Sequence, residues 1–187
     1  MNKTKKVKLH LGCGKVFIPG FIHIDIADFE HIDYQEPIND LSFTFKPNSV
    51  DYIYCCHALE YFDRQEAEEA LKEWYRVLKK GSLLRLAVPD FEAIIDIYRG
   101  YGDLEHRGIL GPLYGRMKVN DGYIYHKTTY DFDSLKKLLE KVGFKDIKRF
   151  NRWETEHAEV DDFSAAYIPH MDFENGKLIS LNVEAKK

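Results

Sequence analysis

The sequence predicts an α/β fold, a doubly wound sheet that is mostly parallel with a late antiparallel strand. Four strand-like runs, at 7–11, 21–26, 50–56 and 83–89, are separated by intervals that carry helical periodicity or turn residues. The first run leads into Gly12-Cys13-Gly14, and only six residues, "KVFIPG", separate that turn from a second run ending in Asp25. Strands alternating with helices in this way specify a sheet whose connections cross over its faces.

Val7, Leu9 and Leu11 alternate with polar residues, and "FIHIDI" at 21–26 keeps its apolar residues in step, so both read as strands. "VDYIYCC" at 50–56 is a more continuous apolar run, as expected for a strand covered on both faces. "LLRLAVP" at 83–89 ends in a proline, which stops sheet pairing. Between the last two, Ala67, Ala70, Leu71, Trp74, Val77 and Leu78 recur at helical spacing. Asp63 and Glu66 form the capping pair of that helix, and Gly81 after Lys79-Lys80 is the predicted stop. A second helix is predicted from Asp90 with Phe91, Ile94, Ile95 and Tyr98 on its stripe before Gly100. A third starts near Asp133, buries Leu135, Leu138, Leu139 and Val142, and stops at Gly143. "FKDIKRF" and "KLISLNVEAKK" read as two late strands, with a turn at Asn175-Gly176 ahead of the last. From Arg99 to Tyr130 six glycines and five tyrosines break the pattern, predicting a long excursion over one sheet edge, a lid or substrate-side insertion.

At 187 residues the chain fits a single domain spanning 1–187, with a core burying roughly 70% of the unfolded surface. Its 44% hydrophobic and 31% charged residues suit a soluble protein, and no apolar run approaches the roughly 20 residues of a membrane span. The basic start, Met1 to Lys6, runs into an alternating strand instead of a signal-peptide core, so the expected compartment is cytoplasmic. Cys13, Cys55 and Cys56 lack metal or disulfide spacing and are expected as free thiols. The acid- and histidine-rich run from Glu154 to Asp172 also lacks ligand spacing, so no metal is expected. A net charge of -4 disfavours nucleic acid as a partner.

A strand, a glycine turn and a second strand ending in acid can bind a nucleoside, because glycine admits close approach and the carboxylate accepts from ribose hydroxyls. Asp25 is placed for that role; the alternative is a plain tight turn with Asp25 capping the next segment of chain. Further along stand Asp40-Leu41, "SVDYIYCCHALEYF" and "EWYRVLKKGSLLRLAVPD". With these blocks in order, the first half of the chain resembles class I S-adenosylmethionine-dependent methyltransferases. Ser82 stands where that family usually has a second glycine, and the first crossover is shortened.

The resemblance implies the Rossmann-like class I methyltransferase fold and S-adenosylmethionine as cofactor. It implies that Gly12, Cys13 and Gly14 wrap the methionine portion and that Asp25 holds the ribose, with Ile26 packing on the adenine. Asp40 would accept from the adenine amino group, the Leu41 amide would face the ring, and Cys56 and His57 would line the pocket near the methyl. With a helix at the glycine turn shortened or missing, either the pocket is more open or another segment covers it, the tyrosine-rich excursion being the candidate.

The expected activity is methyl transfer to an oxygen or nitrogen of a small-molecule acceptor, a sugar or nucleotide sugar by analogy. Alignment does most of the work in such a displacement, and a hydroxyl or ammonium acceptor must also give up a proton to a nearby base. His57, Asp90 and His126 are the candidate catalytic residues, with His157 and His170 as further histidines that could reach the same mouth. Each has a structural alternative: Asp90 as a helix N-cap, the histidines as packed side chains. The tyrosines form either an aromatic wall for the acceptor or a cover for the sheet edge. Two other readings stay open: an aminopropyl transferase, hinted at by Asp90 and Glu92, and a non-catalytic cofactor-binding or regulatory module. A homodimer paired through the last strand is compatible with the sequence.

Overall fold

The computed structural model describes residues 6–105, 107–119 and 121–187. The basic start of the chain, residues 1–5, lies outside the described residues. The strands are β1 (Lys8–Leu11), β2 (Ile22–Asp25), β3 (Tyr34–Gln35), β4 (Val50–Cys56), β5 (Leu78–Pro89), β6 (Met117–Val119), β7 (Gly122–Ile124), β8 (Lys145–Arg149), β9 (Tyr167–Ile168), β10 (Lys177–Leu178) and β11 (Ser180–Lys186). The helices are α1 (Arg64–Val77), α2 (Phe91–Tyr101), α3 (Arg107–Tyr114) and α4 (Phe132–Val142). Seven strands form the main sheet in the order β3-β2-β1-β4-β5-β11-β8. The first five are parallel, and β11 runs antiparallel between β5 and β8. The predicted fold class is borne out.

Alternation along the strands sorts the two faces. Leu9, Leu11, Ile24, Ile53, Cys55, Leu84, Leu86, Leu181 and Val183 point into the largest core cluster, against Ala67, Leu71 and Trp74 of α1 and Leu135 and Leu139 of α4. Asp63 caps α1 as predicted, accepting from the amides of Gln65 and Glu66 while the Glu66 carboxylate accepts from Asp63 N. The Trp74 indole donates to the Ile38 carbonyl at 2.6 Å, tying α1 to the β3–β4 connection. Residues of the other register, His10, His23, Tyr52 and Tyr54, line the second face around the first crossover.

That crossover holds no helix: 12–21 is turn and irregular chain. The bare face is instead covered by Ile18 and Phe21 and by the stretch from Phe150 to Ser164. Tyr54 Oη donates to Asp162 at 2.7 Å, the His157 ring lies 4.1 Å from that of Tyr54, and Asn182 donates to the Ser164 carbonyl. The tyrosine-rich excursion, expected over the cofactor pocket, contributes nothing to the cluster on this face. It has structure of its own, α3 and the β6–β7 hairpin.

Four local expectations change. Gly81 does not stop α1, which ends at Val77; the buried Leu78 pairs with Val50 and starts β5, and Gly81 sits within that strand at φ +79°. The buried stripe of α2 is Ala93, Ile94 and Ile97, with Phe91 and Tyr98 exposed, and its left-handed cap is Gly102 instead of Gly100. The predicted last strand is two: Lys177–Leu178 pairs with β9 across the Asn175-Gly176 turn, and Ser180–Lys186 pairs with β5 and β8. Finally, α4 begins at Phe132 with Asp131 as its cap, while Gly143 ends it in the left-handed conformation as predicted.

Candidate functional site

Ligands of parallel α/β sheets bind outside the carboxyl ends of the strands, where the strand order reverses. Here the reversal falls between β1 and β4. At that point Gly12 N donates to Ile24 O at 2.8 Å, folding the turn back over β2. Gly12 has φ +62°, and a Cβ on it would stand 2.4 Å from that of Ala58, so the β1 turn and the segment after β4 touch. Gly14 also has a positive φ, +52°, but a Cβ there would meet nothing within 4 Å. Gly12 thus serves packing, and Gly14 presents backbone to open space.

Asp25 answers why the chain returns so soon to an acid. Its Oδ2 accepts from Gly14 N and its Oδ1 from Ala27 N, both at 2.8 Å, so the carboxylate clamps the glycine turn that a helix would otherwise anchor. A carboxylate has about four acceptor sites, so each oxygen retains capacity for a hydroxyl. Ile26 beside it is exposed, free to pack on a flat ring. Cys13 is buried with its thiol pushed up to about 12 by burial, so it acts as packing and not as a nucleophile. Asp40 is exposed and accepts from the Ser42 amide and hydroxyl, which hold its carboxyl below the usual range. Leu41 is fully buried, and its amide donates to Glu73 on α1. Cys56 packs with Tyr52, Tyr54 and Phe21, and burial raises its thiol well above the ordinary value.

His57 follows β4 in a left-handed backbone conformation, φ +51°, uncommon for residues other than glycine, though histidine is among those that adopt it most readily. Its Nε2 lies 3.0 Å from Ser180 Oγ and its Nδ1 3.4 Å from Glu60 Oε1. Burial pushes the imidazole down to about 3, so it is neutral at pH 7. Asp90, which the sequence left as cap or base, does cap α2 by accepting from Glu92 N, and it also faces Arg149 at 3.1 Å. His126 donates its Nδ1 proton to the Pro112 carbonyl at 2.8 Å and sets Nε2 3.8 Å from Glu60. His57 and His126 therefore do converge, on a residue that the sequence pattern does not single out.

Glu60 is fully buried on a turn of 3-10 helix at Leu59–Tyr61, and neither carboxyl oxygen accepts a hydrogen bond. Burial pushes its carboxyl up to about 8. The available signal was a lone acid flanked by Leu59 and Tyr61, three residues after His57. His157 lies away from this group, buried under the first crossover against Tyr54 and Phe21, and His170 is on the exposed surface. Neither shares the mouth.

Asp90, Glu92, Asp96, Arg99, Arg149, Lys177 and Ser180 line a hollow of about 660 Å³ beside the carboxyl end of β5. Ser180 is the shared wall between this hollow and His57. A second hollow, about 510 Å³, is lined by Lys8, Asp51, Tyr52, Arg85 and Glu156 at the opposite end of the strands, away from the reversal. Among the described residues no group of histidine, cysteine and acid is arranged to hold a metal ion, and no helix is long and apolar enough to cross a membrane.

Residues 22–86 match the family described as "Methyltransferase domain". A carboxy-S-adenosyl-L-methionine synthase of Staphylococcus epidermidis is 23% identical over 166 residues, 81% of this chain and 67% of that protein. A demethylmenaquinone methyltransferase of Staphylococcus haemolyticus is 30% identical over 114 residues, 58% of this chain and 46% of that protein. The chain thus spans about two thirds of one of these relatives and under half of the other. Among solved structures, a SAM-dependent methyltransferase from Archaeoglobus fulgidus superposes with a TM-score of 0.59 at 16% identity, covering 99% of this chain and 87% of that one. At that identity the superposition shows the shared fold.

Proposed function

We propose that this chain is a class I S-adenosylmethionine-dependent methyltransferase and transfers a methyl group to an oxygen or nitrogen of a small polar acceptor seated in the hollow beside Asp90. Sugars and nucleotide sugars are the class to screen first, since that hollow is walled by both acids and bases. The observation that carries the reading is the junction of Gly14 and Asp25. A backbone facing open space is clamped to a buried carboxylate at the strand-order reversal, and Gly12 joins it directly to the segment after β4.

The residues present fit the cofactor. Gly14 leaves room for close approach, Asp25 retains acceptor capacity for ribose hydroxyls, and Ile26 offers an exposed apolar side chain for the adenine. When bound, S-adenosylmethionine supplies a methyl group on a positively charged sulfur. The chain's own contribution is alignment, since holding two reactants in line replaces a bimolecular encounter. Asp90 has one oxygen on the α2 amide and the other toward Arg149, at the edge of the acceptor hollow, where its carboxylate is placed to take the acceptor's proton. The segment 99–130 is assigned a lid role over this side.

Titration calorimetry with S-adenosylmethionine and S-adenosylhomocysteine tests the cofactor part. Micromolar binding by the wild type, lost in Asp25→Ala, supports it, and absence of binding to both ligands overturns it. A screen of sugars and nucleotide sugars, read as the gain of one methyl by mass, then tests the acceptor. Cofactor binding with no methyl gain on any acceptor would favour the regulatory-module reading.

A further inference from the structure

The hydrogen bonds around His57 have a direction that can be read without seeing a proton. The Ser164 carbonyl can only accept, so the atom of Asn182 that faces it at 2.8 Å is Nδ2 and the other is Oδ1. Oδ1 can only accept, so the Ser180 hydroxyl donates to it at 3.0 Å. Having given its one proton there, Ser180 Oγ must accept from His57, whose Nε2 therefore carries hydrogen. A neutral His57 is then bare at Nδ1, the atom 3.4 Å from Glu60 Oε1.

The same reasoning applies to His126. The Pro112 carbonyl accepts from Nδ1, leaving a bare Nε2 that also faces Glu60 Oε1, at 3.8 Å. Two bare ring nitrogens thus lie 3.4 and 3.8 Å from one buried carboxyl oxygen, and an ionised Glu60 would meet acceptors there.

We propose that Glu60 is a positioning residue held in its protonated form, donating its hydrogen to His57 Nδ1 and so fixing His57 as an Nε2–H donor toward Ser180 and the acceptor hollow. His57 is then a donor and not the base, and the acceptor's proton falls to Asp90. This consequence rests on the methyl-transfer reading; the protonation state itself does not. The surroundings agree. The titratable groups facing Glu60 are Cys55 on β4, His57 after it, Tyr61 on its own turn, His126 after the hairpin, and Tyr130 ahead of α4. Burial keeps all five uncharged at neutral pH: it lowers the two histidines and raises the thiol and both phenols. Among the described residues the nearby cations are engaged elsewhere: Arg64 lies over the Tyr130 ring and donates to the Thr129 carbonyl, and Lys127 turns its ammonium to Glu66 and leaves only its amide on the Glu60 carbonyl. Burial without a cation pushes the carboxyl to about 8.

The arrangement makes a switch. Below that pH His57 holds its proton at Nε2. Above it Glu60 releases its proton to solvent, the resulting carboxylate draws the single imidazole proton to Nδ1, and the Ser180 hydroxyl turns its hydrogen from Asn182 Oδ1 to the bared Nε2. The site as a whole loses one proton, and the ring changes tautomer without becoming charged.

The experiment is two-bond 1H–15N correlation of the histidine-labelled full chain, free of ligand, from pH 6.5 to 9.5, with His57→Gln to assign the signal. The expected result is the Nε2–H tautomer for His57 at pH 6.5, giving way to Nδ1–H with a midpoint near pH 8. Glu60→Gln, whose amide can still donate to Nδ1, should hold Nε2–H across the whole range. An Nδ1–H tautomer at pH 6.5 in the wild type, or the same transition in Glu60→Gln, overturns the proposal. If Glu60→Gln does not fold, the wild-type spectra alone decide. Because no cofactor or acceptor is used, failure here is separate from failure of S-adenosylhomocysteine to bind.

Discussion

His157→Phe is the perturbation whose size the structure best defines. The imidazole is 2% exposed, tilted 4.1 Å from the Tyr54 ring and edge-on to Phe21 at 6.1 Å, and neither ring nitrogen has a hydrogen-bond partner. Burial pushes it down to about 4 from the ordinary 6.5. The sign comes from proton uptake. The unfolded chain protonates this side chain as pH falls through 6.5 while the folded chain resists until about 4, so the stability present above 6.5 is lost through that window. At pH 5 the unfolded state has gained about 1.5 pH units of protonation free energy, worth about 2 kcal/mol at 1.36 kcal/mol per unit.

Phenylalanine fills the same aromatic slot, does not titrate and leaves no orphaned nitrogen, which adds about 1 kcal/mol at any pH. The variant should therefore exceed the wild type by about 1 kcal/mol at pH 7 and about 3 kcal/mol at pH 5. Urea unfolding at the two pH values, followed by tryptophan fluorescence, measures both differences. A gain that is the same at pH 5 and pH 7 would refute the claim that His157 is buried neutral. A loss at both would refute the packing argument.

Three further outcomes are expected. Gly12→Ala should destabilise the chain by about 3 kcal/mol, summing left-handed strain and overpacking against Ala58, whereas Gly14→Ala incurs only the strain of about 1 kcal/mol and instead weakens S-adenosylhomocysteine binding; thermal melts and calorimetry separate the two. Tyr54→Phe removes the 2.7 Å donor to Asp162 and should cost about 1–2 kcal/mol, with faster limited proteolysis between residues 150 and 166. Asp63→Ala removes the side-chain half of the α1 capping box, leaving the Glu66 carboxylate on the backbone N–H of residue 63, and should cost about 1 kcal/mol in a melt.

Where one residue's surroundings are local, the sequence was a sufficient guide. The α1 stripe from Ala67 to Val77, its Asp63 cap and the Gly143 stop arise from spacing and cap chemistry within a few residues, and the structure repeats them. Gly81 failed because a buried Leu78 had a strand partner, Val50, that local pattern cannot see. The α2 stripe shifted because α3, Ile179 and Ile168 supply its packing surface, so Ala93 and Ile97 turn inward while Phe91 and Tyr98 do not. The place of Asp25 at a strand end beside the glycine turn was legible. Glu60 was not, because an acid in "LEY" reads as solvent-facing until the fold closes over it.

The short first crossover leaves its own mark on the site. Six residues between Gly14 and Phe21 cannot carry a helix across β1 and β2, so the second face has only Ile18 and Phe21 as apolar cover there, over His10, His23 and Tyr54. A later stretch, 150–164, takes the helix's place on that face through Asp162, His157 and Ser164. What it cannot replace is a helix N-terminus at the cofactor, and the Gly14 amide that such a terminus would direct at the ligand is donated to Asp25 instead. Asp25 therefore holds the turn and, on the proposed reading, also accepts from the ribose. Asp25→Ala removes both functions together, whereas Asp25→Asn keeps an oxygen for the Gly14 amide and removes the charge. If the clamp is the larger part, Asp25→Asn should bind S-adenosylhomocysteine measurably better than Asp25→Ala. Equal loss in the two variants would show that the carboxylate's charge toward the ribose, and not the clamp, sets affinity.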